Sequence, residues 1–179
     1  MKRTLLCVVF CAAFCAVPVA TLWAADAPTA QTERGKQLFL HSPKGLACAT
    51  CHELDGNGTA IGPDLTRLGS VIGPKGLVMT IQMSMTAYVQ QVELQDGRTF
   101  PGIQKSKQGD LLAIYDLSKT PADLLHLKSS DVASMKPNTK WTHPPTSAGY
   151  TPEELTDIIG YLKFASTGVA KEVKVSDLH

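Results

Sequence analysis

Cysteine is scarce where it would matter, and that scarcity narrows the chemistry more than any abundance does. Three of the five cysteines, Cys7, Cys11 and Cys15, sit in an apolar N-terminal run, which leaves only Cys48 and Cys51 for the rest of the chain. No spare thiol remains for a disulfide framework. Charge of one sign is also missing, with 17 Lys and Arg against 16 Asp and Glu and a net charge of +1. A nucleic-acid binder would show a basic footprint, and none is present. At 179 residues the chain suits one domain plus a short leader.

What is there begins with that leader. Lys2 and Arg3 precede an uncharged stretch, Thr4 to Ala25, rich in Leu, Val, Phe, Ala and Cys. This is the pattern of a secretory signal peptide, expected to occupy residues 1–24 with cleavage after Ala24 or Ala25. The run is also close to the roughly 20 residues that span a bilayer, so an uncleaved inner-membrane anchor is the alternative. Removal of Lys2 and Arg3 would leave a nearly neutral exported protein. Residues 25–31, Ala- and Pro-rich, read as a disordered lead.

The residues Cys48-Ala49-Thr50-Cys51-His52 carry the chemistry. Cys-x-x-Cys-His is the pattern by which haem is attached covalently: each thiol forms a thioether to a vinyl group, and His52 becomes the proximal iron ligand. A zinc site would need a second ligand pair, which the remaining cysteines do not supply. A thioredoxin-like redox pair would need the motif after a strand, whereas helix and then a Pro/Gly loop precede it.

Helical signals stand at both ends of the mature chain. Thr32 is the expected N-cap of a helix over Glu33 to Leu40. Thr151-Pro152-Glu153-Glu154 combines a capping box with an N1 proline, and Leu155, Ile158, Ile159 and Leu162 then follow the spacing of one buried helical stripe. That helix should end near Ser166, with Gly168 as its stop. Gly35 and Gly160 each cost about 1 kcal/mol relative to Ala. A close crossing of the two helices, filled by Phe39 and by Tyr161 or Phe164, would offset that cost.

The middle of the chain needs elements of its own, because roughly 65 residues are too many for a structureless loop. Leu77 to Met85 reads as helix. Val89, Val92 and Leu94, the turn Gln95-Asp96-Gly97-Arg98, then Phe100 and Ile103 read as a hairpin. Leu111 to Tyr115 and Leu124 to Leu127 add two strands, joined across Asp116 to Ala122. Met79, Met83 and Met85 are expected to pack in their helix, and His41, His126 and His179 to sit at the surface.

The haem motif, the Gly-rich loop Glu53 to Gly58, Gly62-Pro63-Asp64-Leu65 and the Gly35-x-x-x-Phe39 spacing together resemble class I c-type cytochromes. The chain is similar to haem-binding domains that carry a β insertion between the motif and the last helix. The resemblance implies a mainly α fold, a cytochrome c-like helical haem domain over residues 32–168 with a small antiparallel β-sheet insertion at about 88–128 and a tail at 169–179. It also implies that the carbonyl of Pro63 accepts the Nδ1 proton of His52, and that haem attachment takes place outside the bacterial inner membrane, in the periplasm.

The distal side departs from the pattern. Where such domains place Ser-Leu-Met-Pro before the last helix, this chain has Trp141-Thr142-His143-Pro144. His143 is the expected sixth iron ligand. Met135, in Ser134-Met135-Lys136-Pro137, is the alternative, unless it ends the sheet insertion. Ligation by a second imidazole would lower the potential relative to thioether ligation.

The function expected is a carrier of single electrons between redox protein partners, holding one covalent haem c, and not an enzyme. A haem-based sensor or peroxidase-like protein with an open distal site, or a haem-bearing subunit of a dehydrogenase complex, is the alternative. The β insertion would then offer a docking surface for a partner subunit.

Overall fold

The computed structural model describes residues 26–82, 88–144 and 149–179. The segment read as signal peptide or anchor lies outside these residues, as do Met83 and Met85. Among the described residues no helix is long and apolar enough to cross a membrane.

Helix α1 spans Ala30–Leu40. Its N-cap is Thr29, whose hydroxyl accepts from Thr32 N–H at 3.2 Å, so the helix starts about a turn before the expected Thr32 cap. Thr32 is instead buried, at 4% exposure. The supposed lead is likewise tied down from Asp26 onward. Asp26 N–H donates to Gly168 O, and its carboxylate accepts from Ala170 N–H, each at 2.9 Å. Gln31 brackets Val173 by donating to its carbonyl at 2.8 Å and accepting from its N–H at 2.9 Å.

Two short strands, β1 (Glu53–Leu54) and β2 (Asn57–Gly58), pair across the turn after the haem motif. Helices α2 (Leu68–Val71) and α3 (Pro74–Gln82) follow. The chain then forms β3 (Gln90–Leu94), β4 (Thr99–Gln108), β5 (Leu111–Asp116), β6 (Asp123–Lys128) and β7 (Val132–Pro137). All five pair antiparallel in the order β6-β5-β4-β3-β7. The outermost strands β6 and β7 are consecutive and joined by a single 3-10 turn, Ser129–Asp131. A connection that short across the width of the sheet forces it to curl. Its concave side closes over Val92, Leu94, Phe100, Leu112 and Ile114, with Leu127 and Val132 brought in from the two edges.

This sheet corrects the mainly α expectation. Among the described residues helix, 3-10 turns included, accounts for 34% and strand for 26%. The insertion also runs past residue 128, because Val132–Pro137 forms a fifth strand. The polar positions Ser134 and Lys136 alternating with Met135 are the period-2 signal of a half-buried strand.

Helix α4 (Pro152–Thr167) has the capping box as expected: Thr151 Oγ1 accepts from Glu154 N–H, and the Glu154 carboxylate accepts from Thr151 N–H at 2.7 Å. Gly168, at φ 69°, ends it in the left-handed region where glycine costs least. Helices α1 and α4 cross at Gly35, where an added Cβ would lie 1.9 Å from Asp157 O. Arg34 grips the Asp157 carboxylate with two bonds of 2.8 Å beside that crossing. Phe39 and Tyr161 meet edge to face at 5.7 Å. Gly160 lies at the same helix contact as expected, but there an added Cβ would meet the Gln31 side chain of α1, at 3.0 Å, and not backbone. The C-terminal residues pack back, with Val173 and Leu178 buried against Leu77 and Ile159.

Candidate haem site

Residues Cys48–Thr50 form a 3-10 turn that follows a loop, not a strand. The turn brings His52 N–H onto Cys48 O at 2.9 Å. The next segment folds back beneath it, Ile61 and Gly62 N–H both donating to Cys51 O, at 3.1 and 2.7 Å. Gly62 must be glycine here, since a Cβ would lie 2.8 Å from His52 Cε1. One residue on, Pro63 O lies 2.7 Å from His52 Nδ1. A carbonyl can only accept, so Nδ1 carries the proton and Nε2 is left with a free lone pair. The resemblance anticipated this contact.

Both thiols are half-buried at the wall of a cavity of about 380 Å³, within the size range of cofactor sites. Burial pushes the Cys48 thiol up to about 11 and raises Cys51 as well. Each is therefore held as the neutral thiol at neutral pH. Burial acts the other way on His52 and lowers its pKa, against the raising effect of the Pro63 carbonyl and with a smaller lowering from His143. A neutral imidazole is the form that binds metal.

The helical half lines the cavity with Ile61, Leu65, Leu68 and Ile81, while the sheet contributes Ile103 and the β5–β6 loop from Leu117 to Ala122. Sequence reasoning treated that loop only as a strand connection. Its uncharged Thr120-Pro121-Ala122 stretch was the available signal. Tyr88 and Trp141 also line the site, and neither had been assigned a role.

His143 faces His52 across this space, the ring centroids 5.9 Å apart and the planes inclined by 32°. Its Nδ1 lies 2.9 Å from Pro144 O, and Trp141 packs edge-on against its ring. Met135 is elsewhere: it pairs with Val92 in the sheet and packs on the sheet core. Met79, expected to be packed, is 61% exposed. His41, His126 and His179 are all at the surface.

These residues fit a haem. Two imidazoles sharing one metal at about 2.0 Å per nitrogen place their ring centroids roughly 6 Å apart. The apolar walls and the two thiols beside one imidazole suit a covalently bound porphyrin.

The family model described as Cytochrome c matches residues 32–166, a span that contains the motif, the sheet and His143. No curated protein matches the chain.

Proposed function

We propose, from the premise that this chain belongs to the cytochrome c family, that it is an exported carrier of single electrons with one haem c held between His52 and His143. Haem c, which the family implies, supplies a one-electron iron couple when bound. Cys48 and Cys51 give the two thioether sulfurs. His52 is the proximal ligand, and Pro63 keeps its Nδ1 proton in place, which orients the ring and increases the basicity of Nε2. His143 would supply the second imidazole, and Ile103 of the curled sheet and the β5–β6 loop would wall the haem from the side opposite the helices.

The observation that carries this reading is the facing pair of imidazoles at 5.9 Å. With His52 and His143 both given to the iron, a bound haem would have no position left for a substrate, which supports a role in electron transfer and not in enzymatic catalysis. A sensor or peroxidase-like role would need His143 displaced from His52. Two imidazole ligands favour a potential below that of His/Met relatives. Partner redox proteins would dock weakly and briefly, through small contacts. The basic start and apolar stretch of residues 2–25 support export to the periplasm, by cleavage or with the anchor retained.

Optical spectra of the purified protein and two variants test the ligand set. The wild type should be low-spin in both oxidation states and carry one haem per chain. His143→Ala should become high-spin and bind carbon monoxide when reduced, whereas Met135→Ala should match wild type. An unchanged low-spin spectrum in His143→Ala would reject the assignment.

A further inference from the structure

Asn138 stands where the sheet hands the chain over to the segment bearing His143. Its N–H donates to Val89 O at 2.9 Å, extending the β3–β7 ladder one residue beyond Pro137. Its side-chain amide works at both ends. Nδ2 donates to Oε1 of Gln91, on β3, at 2.9 Å. Oδ1 accepts from Lys140 N–H at 3.1 Å and from Trp141 N–H at 2.9 Å. The Asn side chain thus ties a turn to the sheet, because it bonds backbone groups two and three residues on while gripping a strand residue behind it. Trp141, held by that turn, meets the His143 ring edge to face with centroids 6.2 Å apart.

From these contacts we infer that Asn138 is a positioning residue for His143, and that delivering the second imidazole is a task of the inserted sheet. The inference rests on His143 being the distal ligand. A ligand on an unrestrained loop would spend more of its time off the metal, because loop freedom competes with the bond. The Gln91–Asn138–Trp141 chain removes that freedom. The same sheet withdraws Met135, whose place in the ladder opposite Val92 keeps it on the sheet core.

Carbon monoxide binding to the reduced holoprotein reads how often the distal position opens. Asn138→Leu keeps the branched shape but deletes both ends of the amide, and losing about three hydrogen bonds at typical worth should raise apparent affinity tenfold or more. Asn138→Asp keeps the Oδ1 acceptor for Lys140 and Trp141 N–H, and the Gln91 amide can turn its NH2 toward the new carboxylate oxygen, so affinity should stay within about threefold of wild type. Gln91→Leu removes only the strand anchor and should fall between them, which keeps the matter decidable if Asn138→Leu yields no holoprotein. Haem attachment should be unchanged in every variant recovered. Carbon monoxide affinity equal to wild type in Asn138→Leu, or in Gln91→Leu if that alone is recovered, overturns the inference, provided His143→Ala opens the site. If His143→Ala itself stays closed, the ligand assignment is what fails.

Discussion

Replacing Gly35 with alanine sets two effects of opposite sign against each other. An alanine in a helix interior is favoured over glycine by about 1 kcal/mol, so a solvent-facing Gly35 would make the variant more stable. The crossing of α1 and α4 reverses that. The new methyl carbon would lie 1.9 Å from the Asp157 carbonyl oxygen and 2.9 Å from Tyr161 Cβ, where ordinary contacts are about 3.5–4.0 Å. The first obstacle is backbone and cannot rotate aside, so α1 must retreat by about 1.5 Å. That retreat loosens Phe39 on Tyr161 and stretches the Arg34–Asp157 pair. Overpacking of this kind costs about 1–3 kcal/mol or more, and the upper end applies because no side chain can yield. The expected net loss is about 2 kcal/mol after the propensity gain. Guanidinium unfolding of the holoprotein, followed by circular dichroism, gives the midpoint shift. Gly160→Ala is the control: its new atom would meet the Gln31 side chain at 3.0 Å, a neighbour that can adjust, so its change should stay within about 1 kcal/mol. A Gly35→Ala midpoint at or above wild type would refute the close crossing.

Gly62→Ala should turn the proximal imidazole, because its Cβ would press on His52 Cε1 and Nδ1 at 2.8 and 3.1 Å and displace Nδ1 from Pro63 O. The ferric electron paramagnetic resonance spectrum should change, and a spectrum superimposable on wild type counts against that contact. Lys44→Ala should alter the acid limb of stability. Lys44 first, and the Thr151 N–H second, hold the Glu154 carboxyl below its ordinary 4.5, so the stabilisation exists above that value and is lost as pH falls through the lower folded value. The stability gap between wild type and Lys44→Ala should therefore close on acidification; a gap undiminished at about pH 2 contradicts the pairing.

The chemistry of this protein was readable in one dimension because its signals are local. Two thiols, an adjoining imidazole and a glycine-proline return loop act within a few residues of each other, as do the cap, stripe and stop of the last helix. Periodicity likewise exposed the hairpin around Asp96-Gly97 and two further strands. The balance of the fold was not readable that way. Whether Val132–Pro137 is a strand or a ligand loop depends on β3, which it pairs with across some 40 residues of chain. Whether His143 or Met135 approaches His52 depends on that same pairing: the ladder places Met135 opposite Val92, and the amide of Asn138 swings the following turn back to the cavity. Gly35 and Gly160 look alike in the sequence, and only the approach of a second helix gives one a backbone neighbour and the other a side chain. Short-range covalent and hydrogen-bonding constraints thus specify the haem motif, while the partner across the cavity is chosen by long-range contacts whose loop-closure entropy no local pattern records.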